Sequence, residues 1–191
     1  SNDNIGVGDN SPVAGRVEGL PTDARESALL LTLPAGAYSA VMEGVNGSTG
    51  VGLLAVDTVV NPQETGSVIN LSFRGDVGAG DNVVIAGFII VGGSKNVLLT
   101  ARGPSLAQAG VSGVLARPML ELRDARGALI SSNAGLGNAP NLAAIHATGM
   151  APANADESAI LQQLPEGAYS VIARGLNGGQ GVVLMAVEQV D

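Results

Sequence analysis

The sequence predicts an all-β protein made of one and a half tandem repeats of an antiparallel, jelly-roll-like β-sandwich module. Three observations lead there. Residues Glu26 to Val59 recur as Glu157 to Val190 at a constant offset (157 − 26 = 131) without a gap, and about nineteen of the 34 positions are identical. Self-similarity at a fixed period marks a repeat architecture before any motif does. Short segments rich in Val, Leu and Ile alternate with turn signals roughly every 8–12 residues, and helical periodicity is almost absent.

The first element is residues 1–25, SNDNIGVGDNSPVAGRVEGLPTDAR, which sustains no apolar period and reads as loop. Three strands follow. The first, 27–33, ends at Pro34; the second is 37–43; the third, 50–59, is rich in Val and Leu. Pro34-Ala35-Gly36 makes the first turn, with Pro presetting φ and Gly supplying positive φ. Asn46-Gly47 lies in the second connection, and Asn177-Gly178 repeats it; Asn-Gly between apolar strands is a hairpin signal. Residues 60–67, VNPQETGS, read as a linker. A different block then begins, with strands expected near 68–74, 82–91, 95–102, 118–123 and 127–131. Turns fall at Gly92-Gly93-Ser94 and around Asp124–Gly127. Residues 139–147 predict a short helix, with Asn138 as N-cap and Gly149 beyond its end.

The same offset places Ser1-Asn2 on Ser132-Asn133 and Pro21 on Pro152. The organisation is therefore a late half-module (1–60), a linker (61–67) and a complete module (68–191), whose early half is 68–131 and late half 132–191. The chain begins in mid-pattern, so a targeting segment is expected outside it. Two late halves accompany one early half. An incomplete sandwich exposes strand edges and apolar faces, which proteins cover or exploit. Completion by a neighbouring chain, a row of small sheets, and a longer array are all compatible with this arithmetic.

Composition narrows the function classes. The chain is 46% hydrophobic but only 2% aromatic, with no Trp, so its core rests on aliphatic side chains packed beside 28 glycines. The net charge is −8 and the pI about 4.5. Nucleic acid is disfavoured, because phosphates are neutralised by Lys and Arg. Membrane insertion is disfavoured too, since no run approaches the roughly 18 apolar residues of a spanning helix. The absence of cysteine excludes disulfides, thiolate metal sites and Cys nucleophiles.

Several stretches resemble a known module: GDNVVIAGFIIVGG, KNVLLTARGPSL, GVLARPMLELRDARGALISSN and ESAILQQLPEGAYSVIARGLNGGQGVVLMAVEQV. Together they look like a tandem module of large secreted or cell-surface bacterial proteins. They are also similar to the pre-peptidase C-terminal domain, with its strand, Asp-x-x-Gly turn, strand and Leu-Pro-x-Gly-x-Tyr. Asn2-Asp3-Asn4 keeps part of the Asn-Asp-Asn-Trp of such modules without its Trp, and Asn133-Ala134-Gly135 has largely lost it. The resemblance implies an extracellular or cell-surface location, tandem architecture and no catalytic residues.

Candidate sites are few. Asp3 and Asp9 sit among asparagines, and Asp76 and Asp81 flank the loop GDVGAGDN. Oxygen-rich Gly loops hold Ca²⁺, so these four are candidate calcium ligands; the competing reading is an Asx-stabilised turn. Gly78-Ala79-Gly80 lacks the lysine and helix of a phosphate loop. His146 is the only histidine, and Ser105 and Ser158 stand in no nucleophile-elbow context. Lys95, the only lysine, reads as a solvated charge beside a turn. Tyr38 and Tyr169 share a repeat position and are expected at strand corners, hydroxyl on backbone. Glu26 and Glu157, like Ser27 and Ser158, are expected to make the same local bond in each copy. No catalytic set emerges and no cofactor is implied beyond possible Ca²⁺. The expectation is a non-enzymatic structural protein whose partner is itself, in a filament or surface layer. The alternative is a Ca²⁺- or glycan-binding sandwich appended to a secreted protein.

Overall fold

The computed structural model describes residues 23, 25–57, 68 and 70–190. The chain divides into two compact units, Ser1–Val68 and Ile69–Asp191. The expected linker 61–67, the loop 1–22 and the end of the strand expected at 50–59 lie outside the described residues.

The C-terminal unit holds eight strands: β1 (Asn70–Val77), β2 (Val84–Ile90), β3 (Lys95–Arg102), β4 (Pro118–Asp124), β5 (Leu129–Asn133), β6 (Ser158–Leu164), β7 (Gly167–Gly175) and β8 (Gly181–Val190). They form two four-stranded antiparallel sheets, ordered β1-β8-β3-β6 and β2-β7-β4-β5. This is the strand order of a jelly roll, as the sequence predicts. Inward side chains of both sheets meet in one core, including Leu99 and Met185 from the first sheet and Leu120 and Val171 from the second. β3 is buried on both faces. Val97, Leu99 and Ala101 point into the sandwich, while Leu98 packs outward against Leu136 and Ile145. Hence β3 reads as a continuous apolar run rather than an alternating one.

Chain reversal works differently from the sequence reading in several places. Only β4 and β5 form a hairpin, closed by the Asx turn of Asp124, whose Oδ1 accepts from Arg126 N (2.9 Å) and Ala128 N (2.8 Å). Asn177 and Gly178 do reverse the chain, with φ of 54° and 76°, but they join β7 to β8 in the opposite sheet. The hairpin expected there is an arch between sheets. The positive φ that favours Asn-Gly is a property of the backbone at the turn and says nothing about which sheet the next strand enters. The helix expected at 139–147 is α2 (Leu142–Ala147), following a 3₁₀ turn at Leu136–Asn138. Its N-cap position is Asn141, not Asn138, whose side-chain amide donates to Ala134 O instead (2.9 Å). Gly149 ends the helix region at φ 71°, donating to His146 O. A further short helix, α1 (Pro104–Gln108), stands where the sequence reading placed none.

In the N-terminal unit the three strands expected at 27–33, 37–43 and 50–59 are not formed among the described residues. The sole regular element there is a 3₁₀ turn, Val45–Gly47. The physical reason lies in the sheet order of the complete module. Among the described residues β6 pairs only with β3, β7 with β2 and β4, and β8 with β1 and β3. Among the described residues none of β6, β7 and β8 pairs with another of the three. High β-propensity does not make a strand without a ladder partner, because a strand's backbone groups are satisfied only by a neighbour.

Candidate functional site

The residues that join the late half to the early half form the best-built polar site in the molecule. Glu157 stands just before β6 and is fully buried. Its Oε1 accepts from Gly103 N (3.0 Å), Ser105 N (2.8 Å) and Ser105 Oγ (2.6 Å). It thus receives the orphan amides at the start of α1, across 52 to 54 residues of sequence. A carboxylate accepting several donors makes charge-assisted bonds stronger than neutral ones. Beside it, Ser158 Oγ donates to Pro118 O (2.7 Å) and accepts from Gly135 N (3.0 Å). Asn133 Oδ1 accepts from Ala159 N (3.1 Å). The Glu157-Ser158 pair therefore pins β6 to three early-half groups, Gly103, Ser105 and Pro118. Ser105, weighed in the sequence as a nucleophile, here serves as a donor to a carboxylate.

The counterpart Glu26-Ser27 is exposed. The two glutamates do not share an environment, because the bonds of Glu157 are long-range and depend on an early half. Two other repeated features are local, and these are alike in both copies. Tyr169 Oη donates to Pro165 O (3.0 Å), and Tyr38 Oη donates to Pro34 O (2.8 Å). Asn46 (φ 56°, ψ 31°) matches Asn177 (φ 54°, ψ 34°), each followed by Gly47 or Gly178 at positive φ. Before each turn a glycine is required by close approach. A Cβ on Gly175 would collide with Gly179 O, and one on Gly44 with Ser48 O. The ring of Tyr169 also stacks on Phe88 of β2 at 5.5 Å and 25°, whereas Tyr38 is 55% exposed.

The N-terminal copy thus keeps its turns and presents its apolar side chains to solvent. Leu29, Leu33, Met42, Leu53 and Val56 are 48–91% exposed. Ile160, Leu164 and Ala173, the counterparts of Leu29, Leu33 and Met42, are buried in the C-terminal unit, and Leu184 and Val187, those of Leu53 and Val56, are half-buried. Large exposed apolar surfaces mark interaction sites in soluble proteins.

The remaining candidates are dispersed. Asp76 lies in the β1–β8 ladder opposite Val182, and Asp81 lies in the turn before β2; both are exposed. Asp3 and Asp9 lie outside the described residues. Among the described residues no group of three or more His, Asp or Glu side chains is gathered to hold a metal ion. The turn itself is held by backbone bonds, with Gly78 N donating to Asn82 O (2.8 Å) and Gly80 at φ 63°. His146 sits exposed on the last turn of α2, and Lys95 opens β3. Asp23 is held well below the usual carboxylate range by hydrogen bonds from the Arg25 side chain and amide, in a surface pair whose arginine is exposed. No helix among the described residues is long and apolar enough to cross a membrane.

The sequence reading missed what Glu157 does. A signal was present: Glu-Ser recurs at the start of both copies, and Gly103-Pro104-Ser105 has the form of a helix start, with Pro at the first helical position.

No protein-family model matches the chain, and no curated protein matches it in sequence. Among solved structures the chain is similar to the pre-peptidase C-terminal domain of a collagenase from Bacillus anthracis. The identity is 15% and the TM-score 0.40, over 63% of this chain and 90% of that one.

Proposed function

We propose that this chain is a non-enzymatic, extracellular structural repeat protein, a subunit of a filament or surface layer assembled head-to-tail. In this reading the late half-module at residues 1–60 of one subunit is completed by early-half strands of the next. The observation that carries it is the sheet order. Among the described residues every late-half strand of 132–190 lies beside early-half strands alone, and the related sequence at 26–57 forms no strand there. Strand addition to an incomplete sheet supplies main-chain hydrogen bonds for affinity and alternate side-chain pockets for specificity. A heterologous contact of this kind repeats from subunit to subunit and gives an open polymer where its rotation does not close a ring. The net charge of −8 keeps free subunits apart until strands engage. The lack of cysteine leaves assembly to non-covalent packing.

Negative-stain electron microscopy of the purified full chain across a concentration series tests this. Regular fibres or two-dimensional arrays that grow with concentration are expected. Dispersed single particles at high concentration would overturn it.

A further inference from the structure

We propose that residues 26–57 and residues 157–188 are interchangeable occupants of one acceptor face on the early half. We further propose that residues 26–57 reach this face on a second copy of the chain, displacing that copy's own β6–β8. This rests on the strand-completion reading above and adds the acceptor, the register and the displaced segment.

Four observations support interchange. First, the docking pair is kept: Glu26-Ser27 stands where Glu157-Ser158 binds Gly103, Ser105 and Pro118. In the first copy both residues are exposed. Secondly, positions buried in the late half keep core-forming residues in the first copy. Ala28, Leu33 and Ala55 match the buried Ala159, Leu164 and Ala186, while Leu29 and Leu54 replace Ile160 and Met185. Thirdly, one pair changes in a compensated way. Ala173 and Val183 share the sandwich core, and their counterparts are Met42 and Gly52. Both pairs carry four side-chain heavy atoms, and the Met42 side chain lies where a Cβ on Gly52 would be. Volume-conserving exchange is what a packed core tolerates, and an exposed pair is under no such constraint. Ala40, in place of Val171, is the buried position that loses volume without such a partner. Fourthly, both arches are already formed in the first copy, at Tyr38–Pro34 and Asn46-Gly47. Pre-formed turns lower the ordering cost of docking three strands.

The arithmetic of halves gives a consequence. Each chain brings two late halves and one early half, so every trans junction frees one C-terminal late half. Exchange of equivalent elements remakes contacts of the same kind and is therefore a low-cost route to association.

The test uses the full chain, which has no cysteine of its own. Asn96 of β3 faces Gln163 of β6, and both are exposed. The first-copy counterpart of Gln163 is Thr32. A chain carrying Asn96→Cys is mixed with one carrying Thr32→Cys and treated with a short bismaleimide. Ser48→Cys is the control. Its counterpart Gly179 lies 11 residues before Val190, the β8 residue that faces Asn96, so roughly 35 Å away along the strand.

The mixed Thr32–Asn96 dimer, identified by mass, should exceed the Ser48–Asn96 dimer on the order of tenfold, because seating raises the local thiol concentration from micromolar towards millimolar. Glu26→Ala in the donor chain should cut the yield by roughly tenfold through loss of the carboxylate that receives the α1 amides. In the linked dimer, residues 157–190 of the acceptor should become open to protease. Equal yields at Thr32 and Ser48, indifference to Glu26→Ala, or an acceptor that keeps 157–190 protected would overturn the proposal. A strong Thr32–Asn96 link in a preparation without fibres would sustain the exchange and overturn the filament. Fibres without that link would do the reverse.

Discussion

Replacing one glutamate in each copy separates the buried, bonded position from its exposed counterpart. Glu157→Ala removes an acceptor that holds three hydrogen bonds of 2.6–3.0 Å in a fully buried site. Hydrogen bonds to a charged group contribute about 1.5–3 kcal/mol each, and truncation also leaves the Gly103 and Ser105 amides without an acceptor. Against this stands the desolvation of the carboxylate itself, whose Oε2 has no hydrogen-bond partner. The bonds share one oxygen and do not add. The net loss is therefore about 3–5 kcal/mol. In a unit of this size that lowers Tm by roughly 10–20 °C. Glu26→Ala, at an exposed position, should change stability by less than about 0.5 kcal/mol. Differential scanning calorimetry and urea titration of both variants at a concentration that keeps them monomeric provide the assay. A Glu157→Ala chain within about 3 °C of the parent, or equal losses at the two positions, would show that the buried carboxylate does not hold β6 to the early half.

Other outcomes follow from the same structure. Thr100 is fully buried and its Oγ1 has no partner among the described residues. Thr100→Val keeps its shape and should leave stability unchanged or raise it by about 1 kcal/mol, read as Cm in urea without a change in m. Gly175→Ala would drive a Cβ into the Gly179 carbonyl and should cost about 2–3 kcal/mol, whereas Gly44→Ala, with the same collision in the first copy, should leave the calorimetric transition in place. Asn177→Val puts a β-branched residue at φ 54° and should cost about 1–3 kcal/mol, measured by thermal melt against Asn177→Gly as the unstrained control.

The eight-stranded sandwich was legible because its signals are local. Apolar runs such as 95–102 coincide with β3 at Lys95–Arg102, and the Asp124–Gly127 turn names the one hairpin. Tyr38 and Tyr169 reach a proline carbonyl four residues back, a bond that a repeated Leu-Pro-x-Gly-x-Tyr can encode by itself. What the sequence hid is long-range. Asn177-Gly178 reverses the chain, yet β8 enters the other sheet, between β1 and β3, more than a hundred residues away from β1 in sequence. Glu157 looks like half of a repeated local bond because its acceptor role depends on Gly103 and on Ser105 of α1, 54 and 52 residues upstream, in a segment to which the sequence reading assigns no element. The three strands expected in the first copy were read from Val and Leu content. That content is also present in β6–β8, which among the described residues are the segments paired into sheets.

Hydrogen exchange on the full chain, dilute and then assembled, tests most directly whether late-half strands form only on an early half. In the dilute monomer, amides within β6, β7 and β8 should be protected, and those of residues 27–57 should exchange at close to unstructured rates. On assembly residues 27–57 should gain protection in the alternating pattern of a strand ladder. Strong protection of residues 27–57 in the dilute monomer would show that this half folds without partner strands, and would contradict strand completion as the basis of function.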